Sequence, residues 1–166
     1  NHFIGSVGQL VINSGKIITI SGYFRTKSSD GRNVTNDGTI IINNPTDFFS
    51  TPNGDFRTSS ERFNSLNGNV ELPSGGAIPE TLDGGYKNLT LSGVTTSNFS
   101  FSVNGDWTNS GTFTSSGSST ITFNGSSEQA VAGSGTSNFE DVSITNSNGI
   151  NISDASHTFN SNGTFT

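Results

Sequence analysis

The sequence predicts an all-β chain folded as a parallel β-solenoid (β-helix). Three observations carry this. The chain is built from Ser, Thr, Asn and Gly with little charge. Its apolar residues fall in short alternating runs cut by Asn-Gly, Ser-Gly and Asp-Gly. It also resembles itself at a period of about 52 residues.

The chain has 166 residues, which suits one domain. Hydrophobic residues make up 28% and charged residues 12%. Disordered chains share the low hydrophobicity but carry far more charge, so the composition points to ordered structure. No stretch places apolar residues at i, i+3, i+4 and i+7. Thr, Phe, Ile and Val recur instead between turn dipeptides, as short strands require. A net charge of −6 argues against a nucleic-acid partner held by phosphate neutralisation. With no Cys, disulfides and thiolate metal sites are excluded and the compartment is left open. No apolar run is long enough for a membrane-spanning helix, so direct membrane insertion of this segment is not expected. The chain starts at Asn1 and closes on a strand motif, and we expect it to be a segment of a longer one.

The repeat is the main signal. Tyr86-Lys-Asn-Leu89-Thr-Leu91 matches Phe139-Glu-Asp-Val142-Ser-Ile144 at an offset of 53, as do Ala77-Ile78 with Ala130-Val131 and Val70 with Phe123. Trp107-Thr-Asn-Ser-Gly111-Thr-Phe113 matches Phe159-Asn-Ser-Asn-Gly163-Thr-Phe165 at 52. A degenerate first copy holds Leu10-Val-Ile12 and Val34-Thr-Asn-Asp-Gly38-Thr-Ile40. The units run roughly over 8–67, 68–120 and 121–166, with insertions in the first at about 22–32 and 44–67. Such a unit is too short for an immunoglobulin sandwich, and three units cannot close a propeller. Two three-sided coils per unit fit best, with three flatter two-sided coils as the alternative. Coils stack about 4.8 Å apart, so equivalent residues should form columns. The expected columns are Leu10, Leu89 and Val142; Val34, Trp107 and Phe159; and Ile40, Phe113 and Phe165. Trp107 should be buried. Corners are expected to need positive φ, which Gly and Asn tolerate.

Two kinds of phrase stand out: Leu10-Val-Ile-Asn-Ser-Gly15 with Gly105-Asp-Trp-Thr-Asn-Ser-Gly111, and Thr120-Ile-Thr-Phe-Asn-Gly125 with Phe139-Glu-Asp-Val-Ser-Ile-Thr-Asn146. Together they resemble repeat regions of very large cell-surface proteins of Bacteroidota. Many of that class are exported by the type IX secretion system, and the class includes adhesins of gliding motility. The resemblance covers about residues 8–43 and 68–166. It implies an extracellular, cell-surface location and a structural, adhesive or filamentous role, and it brings no catalytic residues with it.

The chemistry of the chain agrees with a non-enzymatic role. The only histidines are His2 and His157, with no Gly-x-Ser-x-Gly, Walker loop or dinucleotide fingerprint. Asp30 and Asp37 lack the ladder of a calcium loop, and Glu140-Asp141 reads as solvated carboxylates. No catalytic, cofactor-binding or metal residue is therefore assigned. Five of the seven basic residues fall in the insertions, beside aromatics. Tyr23, Phe24, Arg25, Lys27, Phe48, Phe49, Arg57 and Arg62 are the candidate contact residues for a surface glycan or another copy of the chain. The competing reading is that the insertions fold back and cover the solenoid. The alternative function is a carbohydrate-active β-helix, a polysaccharide lyase or hydrolase, with its site built from the insertions. Thr-x-Thr at Thr112/Thr114 and Thr120/Thr122 raises ice binding as a weaker idea, since the sequence shows no regular array.

Overall fold

The computed structural model describes residues 2–3, 10–21, 24–25, 34–43, 63–81 and 84–166. All strand pairing among these residues is parallel, and they form a three-sided β-solenoid. The first face stacks β2 (Leu10–Ile12), β5 (Val34–Asn36), the start of β7 (Phe63–Leu72), the start of β9 (Gly85–Leu91), β11 (Phe101–Val103), β14 (Thr120–Phe123) and β17 (Asp141–Ile144). The second stacks β3 (Ile17–Ile20), β6 (Thr39–Ile42), the ends of β7 and β9, β12 (Trp107–Asn109), β15 (Gln129–Ala132) and β18 (Ile150–Ile152). The third stacks β8 (Gly76–Ala77), β10 (Val94–Ser97), β13 (Thr112–Ser115), β16 (Thr136–Phe139) and β19 (Thr158–Ser161). Between them β1 (His2–Phe3) and β4 (Phe24–Arg25) form a separate parallel pair. Because β7 and β9 run through a corner without a break, the first two faces merge into one sheet.

The column on the second face shows the design. Ile18, Ile40, Val70, Leu89, Trp107, Val131 and Ile152 stand in register on seven successive levels. The levels lie 18 to 24 residues apart, except for 30 between Ile40 and Val70. Alternation along each strand turns every second residue inward. The interior is narrow, so one or two apolar residues per strand fill it. This is how 28% hydrophobic residues suffice for a core.

All three expected columns are corrected by this register. Leu10 and Val142 lie on the first face, while Leu89 lies on the second. Val34, Trp107 and Phe159 occupy the first, second and third faces, and Ile40, Phe113 and Phe165 the second, third and first. The sequence period spans two full coils plus part of another, so it is out of phase with the stack. The physical reason lies in the corners. Val34–Ile40 turns the chain from first face to second, Trp107–Phe113 from second to third, and Phe159–Phe165 from third to first. One heptapeptide serves at three different corners, because the corners of a triangular coil pose the same local problem.

That problem is close approach of backbones. Asn36 and Asn109 are buried and point inward. The Asn109 side-chain carbonyl accepts from the Gly111 N–H at 2.9 Å, and its amide donates to the Thr136 carbonyl at 2.9 Å and the Ser137 hydroxyl at 3.0 Å, one coil on. Asn36 repeats this with Gly38, Asn69 and Ser65. A Cβ at Gly111 would lie 2.1 Å from the Gly93 carbonyl oxygen, and one at Gly38 would lie 2.4 Å from that of Lys16. These glycines do not have positive φ. They are glycine because the preceding coil leaves no room. Positive φ occurs elsewhere, at Gly15, Gly117 and Gly149 among others, and no described non-glycine residue adopts it. The expected role of Asn as a positive-φ residue is therefore replaced by that of an internal hydrogen-bonding post.

The expected insertions are also redrawn where they can be followed. Residues 63–67 belong to β7, whose Phe63 and Ser65 are buried. Across 22–32 the levels Ile18 and Ile40 are 22 residues apart, an ordinary coil length. The surplus length falls between Ile40 and Val70, and residues 44–62 lie outside the described residues.

Trp107 is fully buried, as expected. Its stacked neighbours are Leu89 and Val131, not Val34 and Phe159. Its ring meets Phe113 edge-on at 4.9 Å and Phe139 at 5.4 Å, and its Nε1–H donates to Ser137 at 3.1 Å. It ties together the second and third faces. We predict that Trp107→Ala lowers unfolding free energy by about 3–5 kcal/mol. Urea titration followed by circular dichroism measures this, and a loss below about 1 kcal/mol would contradict the packing. Gly111→Ala should cost about 1–3 kcal/mol through overpacking. Ser110→Ala, its exposed neighbour, should change stability by no more than about 0.5 kcal/mol.

Candidate functional site

The residues singled out from the sequence fall at the margin of what is described. Phe24 and Arg25 form β4, paired in parallel with His2 and Phe3. Tyr23, Lys27, Phe48, Phe49, Arg57 and Arg62 lie outside the described residues, as do the side chains of Phe24 and Arg25.

Three titratable groups take part in local turns and contacts. His157 follows the turn after β18, with Nδ1 3.0 Å from the Gly133 carbonyl oxygen. Asp154 accepts from the Ser156 hydroxyl at 2.6 Å and from the Ser156 N–H at 3.0 Å. These two bonds, the hydroxyl first, hold the Asp154 carboxyl below its ordinary range, with His157 contributing less. The Asp154–His157 segment is thus a closed turn. Asp141 is engaged too, accepting from the Thr164 N–H at 2.6 Å. Among the described residues, no three His, Asp or Glu side chains converge as a metal site would require.

The outward surfaces are where the three faces differ. On the second, a polar ladder closes on itself. Asn69 donates to the Thr39 hydroxyl at 3.1 Å, Asn88 donates to Asn69 at 2.8 Å, and Asn88 accepts from the Asp106 N–H at 2.6 Å. Glu71 and Asp106 give this face negative charge. The first face carries Asp141 beside Thr120, and Ser102, Thr122 and Ser143 in one column.

The third face is different in kind. Two outward columns run along it: Val94, Thr112, Thr136 and Thr158, then Thr96, Thr114, Asn138 and Asn160. None of these residues is charged, and Val94 is 71% exposed. Asn160 donates to Asn138 at 2.8 Å, but no hydrogen bond joins the hydroxyls of Thr96, Thr112, Thr114, Thr136 or Thr158 to another described residue. Sequence reading put Thr112/Thr114 and Thr120/Thr122 together as one kind of pair. The register separates them onto the third and first faces. Thr96, Thr136 and Thr158 were missed because the spacing of successive levels here is 18, 24 and 22 residues, so no fixed period marks them.

No protein-family model matches the chain, and no curated protein or solved structure is significantly similar to it.

We predict that Asn88→Ala lowers stability by about 0.5–1.5 kcal/mol through loss of its side-chain bonds in the second-face ladder. Thr114→Ala, whose hydroxyl is unengaged, should fall within about 0.5 kcal/mol of the parent. Equal losses in thermal unfolding would show that the two faces do not differ in this way.

Proposed function

We propose that the chain is a structural and adhesive repeat module of an extracellular cell-surface protein, suited to a filament or gliding adhesin. The observation that carries this reading is the unbroken seven-level column from Ile18 to Ile152. Each coil in such a stack depends only on its neighbours and lengthens the rod by about 4.8 Å. Stability is spread along the axis, and the outward side chains are free to vary without disturbing the core. That is what a display module under tension needs. The resemblance to Bacteroidota surface repeats points the same way.

Adhesion is assigned to the clustered aromatic and basic residues Tyr23, Phe24, Arg25, Lys27, Phe48, Phe49, Arg57 and Arg62. Aromatic rings beside guanidinium groups suit a glycan or a second copy of the chain. The rod and the contact surface are then separable, because loop length changes cost little, about 0.6 kcal/mol per doubling. The test replaces residues 45–61 with a short Gly/Ser turn. Binding to bacterial surface polysaccharides and to immobilised copies of the chain is then measured. We expect an intact β spectrum and lost binding. Collapse of the fold would overturn the separation of rod from surface. Unchanged binding would remove adhesion from this segment and leave a plain spacer.

A further inference from the structure

We propose that the outward face of β10, β13, β16 and β19 binds ice. This does not rest on the adhesive reading, and it concerns a different surface.

Four facts of that face combine. The first is register. Val94, Thr112, Thr136 and Thr158, and alongside them Thr96, Thr114, Asn138 and Asn160, are direct parallel partners with no bulge over four levels. Parallel stacking sets the spacing along each column at about 4.8 Å, and two residues of extended chain set the spacing between columns at about 6.6 Å. The side chains thus form a two-dimensional lattice. The second is charge. No outward residue of this face is ionisable, whereas the second face bears Glu71 and Asp106 and the first bears Asp141. A charged group would hold its own hydration shell against an ordered one.

The third fact is the state of the hydroxyls. The hydroxyls of the five threonines make no hydrogen bond to other described residues, while Thr39, Asn69 and Asn88, one outward column of the second face, are tied into a ladder. Each free threonine offers a methyl group and a hydroxyl at a fixed position. Its χ1 is stiff, so little side-chain freedom remains to be lost on binding. The fourth is the absence of aromatic residues among the outward positions of this face. A sugar ring has nothing to stack on. What matches a rigid, uncharged, repeating grid of methyls and hydroxyls is a solid whose surface repeats on the same scale. Water ordered over the methyls and anchored by the hydroxyls can join an ice surface as its next layer.

The test is partition of the fluorescently labelled chain into slowly growing polycrystalline ice, against a labelled non-binding protein of similar size. We expect enrichment of the parent chain in the ice fraction. Thr114→Lys and Thr136→Lys, in the middle of the two columns, should each lose that enrichment with an unchanged circular dichroism spectrum. Thr90→Lys, outward on the second face, should keep it. Rejection of the parent chain from ice would overturn the proposal. So would equal partition of the Thr114→Lys and parent chains, which would place any ice contact elsewhere. Sedimentation with crystalline cellulose or chitin, without enrichment in ice, would overturn it in favour of a polysaccharide lattice.

Discussion

Everything in this structure depends on the backbone ladder between coils. Parallel strands about 4.8 Å apart leave no room for a misplaced atom, and the whole chain must return to the same outline on each turn. The core follows from that. Six residues on the second face, from Ile18 to Val131, present an apolar side chain inward at one spot, and Ile152 continues their register at the end of the stack. The corners follow as well. Gly38 and Gly111 sit where a Cβ would strike the carbonyl oxygen of the preceding coil. Buried Asn36 and Asn109 use the same confined space, bonding the corner glycine of their own coil and the backbone of the following one.

The class of fold was legible because composition and alternation depend on strands being short and half-buried, whatever their order. Trp107 was legible as core for the same reason. The stacking order was not. Val34-Thr-Asn-Asp-Gly38-Thr-Ile40, Trp107-Thr-Asn-Ser-Gly111-Thr-Phe113 and Phe159-Asn-Ser-Asn-Gly163-Thr-Phe165 look like one position in a repeat, and they are three corners of the triangle. A chain whose corners are chemically alike carries a sequence period that need not equal a whole number of coils. The variable coil length, 18 residues from Leu89 to Trp107 and 24 from Trp107 to Val131, hides the true period further.

The surfaces show the same limit. Arginine and aromatic residues around the insertions stand out by composition alone, which says nothing of where they converge. The threonines of the third face could not be grouped without the register, since Thr96, Thr114 and Asn138 are neighbours only once β10, β13 and β16 are stacked. In a solenoid, neighbouring surface residues come from successive coils. A binding face is therefore a property of the stack, and the second and third faces diverge in character although their strands are similar in composition. One ties Thr39, Asn69 and Asn88 into a ladder, and the other leaves five threonine hydroxyls open.

The central claim is the order of stacking, and paired cysteines test it most directly in a chain that has none of its own. Thr114 and Asn138 are direct partners on the third face, while Thr90 and Ser143 are matched by the sequence period but lie on the second and first faces. Adjacent parallel strands bring Cα atoms within the roughly 4.4–6.8 Å range that a short thiol bridge can span. The chain carrying Thr114→Cys and Asn138→Cys should cross-link internally in high yield with a short bifunctional thiol reagent. The chain carrying Thr90→Cys and Ser143→Cys should not. The reverse result would contradict the three-sided register.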